Sequence, residues 1–169
     1  QFLREAVYGL PELHRRDIVQ ARLVANPGCY PTCSILALAP AVAEGIVEPE
    51  IIVDSKSGLS GAGRTLTLAT HFAEANENVS AYALAGHRHL PEMEQELERL
   101  AGGEPVVLTF LPHLIPMTRG MLSSCYAPLA RQIDESQVRA LYRDFYRDEP
   151  FVRVVEAPPQ TKQTLGSNL

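Results

Sequence analysis

The sequence has no uninterrupted apolar run near the roughly 18–20 residues that a membrane span requires. Its first residues do not form a signal-peptide pattern. It also has no basic excess: 15 Lys and Arg stand against 20 Asp and Glu, a net charge of -5, so a nucleic-acid surface is not expected. Cysteine is scarce. Three Cys in 169 residues do not build a disulfide scaffold and read as cytosolic thiols, which places the expected setting in the cytoplasm. Internal repeats, low-complexity tracts and Gly/Ser linkers are absent, so one domain is expected. The 46% hydrophobic content that is present suffices for a packed core and excludes wholesale disorder. Gln1 at the start and Gly166-Ser167-Asn168-Leu169 at the end, without a closing helix, lead to the expectation of a piece of a larger protein.

Local patterns predict the following elements. Tyr8 to Leu13 carries a turn signal followed by a charged segment, and Arg22 to Ala25 reads as a short strand. Thr32 to Glu44 is an Ala- and Leu-rich helix, apolar nearly all round, closed by Gly45. Ile51-Ile52-Val53 is a buried strand entering a Gly-rich loop from Gly58 to Gly63. Val79 to Leu84 is a candidate strand. Pro91 to Ala101 is a helix with Met93, Leu97 and Leu100 on one face, ended by Gly102-Gly103. Val106 to Phe110 and Met121 to Tyr126 are strands around a Pro-containing loop. Asp134 caps an amphipathic helix with Gln137 in a capping-box position and Val138, Leu141, Tyr142 and Phe145 on its apolar face. Phe151 to Val155 is a last strand. The mixture predicts an α+β domain with a mixed, largely antiparallel sheet and helices packed on one face.

Chemistry concentrates in a few segments. In Asn26-Pro27-Gly28-Cys29-Tyr30-Pro31-Thr32, Pro31 suits the first helical position, which puts Cys29 just outside a helix N-terminus. The free N–H groups and positive dipole end there favour a thiolate. Gly28 permits close approach or a positive φ. Cys29 is therefore either a nucleophile or a small apolar residue in a tight turn. Cys33 and Cys125 read as buried structural thiols, and no metal site is expected because no third ligand has a suitable spacing. His87-Arg88-His89 precedes a second Pro-started helix, where the helix field disfavours imidazolium and favours a neutral His able to accept a proton, while Glu92 and Glu94 oppose that field and leave the net shift open. Arg88 supplies an anion clamp, and the alternative is a capping or surface cluster. The loop from Ser55 to Arg64 either offers backbone N–H groups for phosphate or carboxylate oxygens, with Lys56 and Arg64 adding charge, or is a flexible surface loop. Its G-x-x-G-x-G order is neither a dinucleotide fingerprint nor a P-loop. Pro112 to Gly120 reads as a stiff structural turn. His14, His71 and the remaining charges are assigned to the surface.

The stretches NPGCYPT (26–32), VDSKSGLSGAGR (53–64), GHRHLPEMEQEL (86–97) and TFLPHLIPMTRG (109–120) together resemble the N-acetyl-gamma-glutamyl-phosphate reductase family of arginine biosynthesis. The resemblance implies a fold like the C-terminal domain of glyceraldehyde-3-phosphate dehydrogenase. It implies that Cys29 is the catalytic cysteine and that the acid/base is His89, with His87 as alternative. Arg88, Lys56 and Arg64 become candidates for anionic substrate groups by charge type. Ser57, Gly58, Ser60, Gly61 and Gly63 take a binding role toward the substrate and the nicotinamide side of the cofactor, and Asn168 lies near the cofactor. NADP would be bound mainly by a Rossmann domain that, with a C-terminal return segment, is expected to lie outside this chain; residues 1–169 would be the catalytic and dimerisation domain. The implied partners are an acyl phosphate or semialdehyde, phosphate, and further copies of the chain as a dimer or tetramer.

The implied chemistry runs through a Cys29 thioester formed from the acyl phosphate, reduced by hydride to a thiohemiacetal that collapses to the semialdehyde. Three rivals stand beside it: an aspartate-semialdehyde dehydrogenase-like reductase, a cofactor-free cysteine hydrolase, and a non-catalytic scaffold domain. Substrate preference separates the first, ester hydrolysis by this chain alone the second, and unselective alkylation of the three Cys the third.

Overall fold

The computed structural model describes residues 2–167. In chain order its main elements are β1 (Val7–Tyr8), α1 (Pro11–Gln20), β2 (Val24–Ala25), α2 (Cys29–Ala43), β3 (Glu50–Ser57), α3 (Phe72–Ala75), β4 (Ser80–Ala81), α4 (Leu90–Leu100), β5 (Val107–Leu114), β6 (Met121–Tyr126) and α5 (Glu135–Phe145). Strands β4-β5-β3-β6 form one sheet, and β1 and β2 pair separately in parallel. The α+β expectation holds and the sheet is mixed. Two of its three pairings are antiparallel, but the longest, β3 with β5, runs parallel over eight residues. Among the described residues no helix is long and apolar enough to cross a membrane.

The period of two in β3 decides which side is the core. Ile51, Val53, Ser55 and Ser57 are buried, whereas Ile52 is 49% exposed on the opposite face. The sequence reading of Ile51 to Val53 as a uniformly buried strand is corrected accordingly. On the buried side the sheet meets α2 and α4, and Ile35, Leu38, Val42, Ile51, Val53, Met93, Leu97 and Leu108 make the core. On the open side Ile52, Val107, Leu122 and Tyr126 stay exposed.

Helix α2 begins at Cys29, three residues earlier than the sequence pattern predicts, with Gly28 as N-cap. Its end is as expected. Gly45 adopts φ 59°, the Gly45 N–H bonds Val42 and the Ile46 N–H bonds Ala41, closing a Schellman turn. Pro40 inside α2 has no N–H and leaves the Leu36 carbonyl without its helical donor. Tyr146 supplies that donor at 2.6 Å, and Tyr142 bonds the Ala37 carbonyl at 2.7 Å, so α5 docks where the hydrogen-bond ladder of α2 lacks a donor. The Asp134–Gln137 capping box is present as predicted.

The charged segment after Tyr8, for which the sequence pattern predicts no element, is helical, as α1. Two further expectations are corrected. Strand β5 continues through Pro112, whose carbonyl accepts the Tyr82 N–H. Its missing N–H therefore points toward the two-residue edge strand β4 and not toward β3. Phe151 to Val155 is not a strand: Arg139 of α5 donates to the Val155 carbonyl, and Phe151 is 59% exposed.

Candidate active site

Cys29 occupies the first turn of α2 with an exposed side chain. It is thus inside the helix end, not just outside it, and Pro31 sits in the first turn, where a missing N–H costs nothing. A cavity of about 320 Å³ opens over it, walled by Cys29, Tyr30, Ser57, Gly61, Tyr82, His87 and Arg88 among others. By position, the Cys29 and Tyr30 N–H groups have no acceptor within the helix, so they are donors available to a charged oxygen bound there.

Gly28 is a glycine for closeness. Its φ of -69° suits any residue, but a Cβ built on it would lie 2.2 Å from Cε1 of His89. The imidazole of His89 therefore packs directly on the backbone that precedes Cys29. Gly28→Ala should displace that ring and cost about 1–3 kcal/mol by overpacking. The test is the urea midpoint, expected to fall with the slope unchanged; an unaltered midpoint would mean that the ring does not rest there.

The two histidines stand in different environments. His87 is ringed edge-on by Tyr30, Tyr82 and Phe110 at centroid distances of 5.6, 5.8 and 5.3 Å. Burial first, then the neighbouring His89 and Arg88, pushes its pKa down, so it is held neutral. Its Nδ1 accepts the His89 backbone N–H at 3.1 Å, which assigns the remaining proton to Nε2. His87, one of the residues lining the cavity, therefore has Nε2–H as its ring donor. His89 instead presents Nδ1 to Glu92 Oε2 at 2.9 Å, which leaves Nε2 as its other ring nitrogen.

Glu92, which the sequence offered only as a charge opposing the helix field, is the residue whose place in the site the sequence reading missed. Its Oε1 also accepts the Gly28 N–H at 2.8 Å and the Tyr8 hydroxyl at 2.8 Å. Burial alone would raise its pKa, but the bonds from Gly28, Tyr8 and His89 outweigh it and hold the carboxyl below its usual range. The i,i+3 spacing from His89 at a helix start was a usable signal. Nothing local marked Tyr82, whose hydroxyl meets that of Tyr30 at 2.7 Å. Burial raises the pKa of both phenols, so both remain protonated donors.

The Gly-rich loop is not an open cradle. The N–H groups of Gly58, Leu59 and Ser60 bond carbonyls of Gly120, Met117 and Thr118, and those of Gly61 and Gly63 bond Gly58 and Ser60. A Cβ at Gly58 would come within 2.9 Å of the Met117 carbonyl and the Arg119 nitrogen. The 115–120 segment thus serves to hold this loop, and only Ser57, Gly61 and Ala62 from it reach the cavity wall.

Lys56 is not brought to the cavity. Strand alternation turns it to the opposite face, where it pairs with Asp54 at 2.5 Å. Arg64 is exposed and away from the cavity lining, as are Ser60 and Gly63, whereas Arg88 lines it. Asn168 lies outside the described residues. His14 and Glu96, assigned to the surface from sequence, are buried and meet at 2.6 Å. Cys33 and Cys125 are partly buried, and burial pushes the Cys125 thiol up to about 12.

The chain is similar to known proteins in both sequence and fold. Residues 29–169 match the family described as semialdehyde dehydrogenase, dimerisation domain. The chain is 56% identical over 167 residues to an N-acetyl-gamma-glutamyl-phosphate reductase of Dehalococcoides mccartyi, covering 99% of this chain and 49% of that protein. A protein of the same name from Pelotomaculum thermopropionicum is 57% identical over 171 residues, covering 99% and 49%. The chain therefore spans about half the length of the curated relatives it matches. In three dimensions it resembles aspartate semialdehyde dehydrogenase II from Vibrio cholerae, with TM-score 0.67 and 15% identity over 97% of this chain and 56% of that one. The Francisella tularensis aspartate semialdehyde dehydrogenase gives TM-score 0.67 at 11% identity, covering 98% and 58%. At such identities these two speak for the fold alone.

Proposed function

The chain belongs to the semialdehyde dehydrogenase dimerisation-domain family, and on that premise we propose that it is the catalytic and subunit-pairing part of an N-acetyl-gamma-glutamyl-phosphate reductase. The observation that carries the reading is the packing of His89 on Gly28, next to the exposed Cys29, with Glu92 bonded to both the ring and the Gly28 N–H. The nucleophile and His87 line the cavity, while the acid/base His89 and the carboxylate that orients it stand behind that wall, against Gly28.

In this reading the Cys29 thiolate attacks the γ-carbonyl carbon of the acyl phosphate. The C–S bond forms, the carbon–oxygen bond to phosphate breaks, and a thioester remains on Cys29. The Cys29 and Tyr30 N–H groups, with His87 Nε2–H, hold the negative charge that develops on the carbonyl oxygen. Through its Nε2, His89 gives a proton to that oxygen after reduction and recovers it as the thiohemiacetal collapses, releasing the semialdehyde and the thiolate. Arg88, exposed at the rim, is positioned for the substrate's remaining anionic groups.

The residues fit the reacting end of a nicotinamide cofactor and not its phosphates. Gly61 and Ala62 leave the cavity wall flat beside Cys29, while the loop's N–H groups are already bonded to carbonyls. When bound, NADPH supplies the hydride. We assign its phosphates and adenosine to a separate cofactor-binding domain, in keeping with relatives twice the length of this chain. The open sheet face with Ile52, Val107, Leu122 and Tyr126 is assigned to a second copy of this chain, in line with the family's description as a dimerisation domain.

The test is a full-length enzyme carrying this chain, assayed for phosphate-dependent NADP reduction with N-acetylglutamate semialdehyde and with aspartate semialdehyde. Turnover is expected with the first alone. The chain by itself should sediment as a dimer and show little or no turnover. Preference for aspartate semialdehyde, or ester hydrolysis by this chain alone, would replace the reading.

A further inference from the structure

We infer that Tyr8 is a positioning residue of this site, its hydroxyl holding the Glu92 carboxylate and, through it, the imidazole of His89. The inference rests on the reading above for its catalytic meaning, but its geometry stands alone. Tyr8 lies 84 positions from Glu92 and outside the residues 29–169 of the family match. What brings it there is the small β1–β2 pair, in which Tyr8 registers with Ala25 and the Gly9 N–H bonds the Ala25 carbonyl at 2.8 Å. Strand β2 then runs through Asn26 and Pro27 into Gly28 and Cys29. One two-stranded unit therefore delivers both the nucleophile and the phenol.

On the receiving side, α4 presents two carboxylates one turn apart, Glu92 and Glu96. Tyr8 takes the first at 2.8 Å and His14 the second at 2.6 Å. The Tyr8 ring meets the His14 ring edge-on at 6.0 Å, so each contact supports the other. The groups facing Glu92 are Tyr8 from β1, the Gly28 N–H from the start of α2 and His89 from its own helix, with Glu96 and His14 one turn away. Oε1 has two donors and Oε2 has His89. Removing the phenol hydroxyl leaves Oε1 with the Gly28 N–H alone. The carboxylate is then free to rotate and its charge is less stabilised.

The experiment is Tyr8→Phe with two readouts. In this chain without substrate, the 13C titration of the Glu92 carboxyl should move up by roughly one pH unit. In the full-length enzyme, kcat should fall about tenfold with KM within about twofold, the pattern of a group acting on the chemical step. In a Glu92→Gln background the same substitution should change kcat by less than about twofold, because its route of action is gone. An unmoved Glu92 titration, or full additivity with Glu92→Gln, overturns the inference. If Tyr8→Phe does not fold, 3-fluorotyrosine at position 8, a stronger donor, should move the Glu92 titration down, and no movement would overturn it equally. Because the titration needs no substrate, its outcome is separate from that of the reductase assay.

Discussion

Cys29→Ser is expected to abolish turnover of the proposed full-length enzyme, by on the order of 10⁴-fold or more, and to leave the fold in place. The fold survives because position 29 is exposed in the first turn of α2 and buries nothing that the smaller oxygen would forfeit. In the proposed mechanism chemistry should be lost because the serine hydroxyl is a far weaker nucleophile near neutral pH, and its ester is a poorer intermediate for reduction than a thioester. The other thiols do not substitute: Cys33 lies in the helix body and Cys125 is held protonated by burial. Steady-state assay beside a thermal melt decides the matter. Near-normal turnover with an unchanged melting point would remove Cys29 from the mechanism, as would iodoacetamide labelling that ignores it.

The second large effect separates the two histidines. His89→Asn should lower kcat by about 10²–10⁴-fold, the usual worth of a positioned acid/base. His87→Asn should cost less, because a ring already neutral and fixed as a donor contributes one hydrogen bond and no proton cycle. The expected pH behaviour follows from Glu92. A carboxyl held below its usual range keeps its grip on His89 complete above that range, and loses it as pH falls through the depressed value. Glu92→Gln should therefore flatten the most acidic limb of the kcat profile. If His87→Asn proves the more damaging substitution, the proton belongs to the aromatic box and the roles exchange.

Much of the fold was legible because it rests on local chemistry. The Asp134–Gln137 capping box, Gly45 past the end of α2, and the apolar stripe of Met93 and Leu97 each act through neighbours within one or two turns. The start of α2 was misplaced because Pro31 is acceptable anywhere in a first turn. Phe151 to Val155 has strand composition, but strand formation needs a free sheet edge, and Arg139 draws this segment to α5 instead.

The site divides in the same way. By itself the sequence singled out the candidates for the proposed chemistry: a Cys after Pro-Gly at a helix start, and a His pair before another. These are properties of residue type and position along a helix, and they reach no further than a turn. Only the tertiary structure decided what surrounds them. It placed His89 on Gly28, set Glu92 between Tyr8 and the ring, and boxed His87 among Tyr30, Tyr82 and Phe110. It also turned Lys56 to the far face of the sheet and closed the loop's N–H groups onto the 117–120 backbone. The reason is distance along the chain: Tyr8 and Glu92 are 84 residues apart. A hydrogen bond or a desolvated ring is made by whichever groups packing brings within about 3 Å, and no local pattern encodes that.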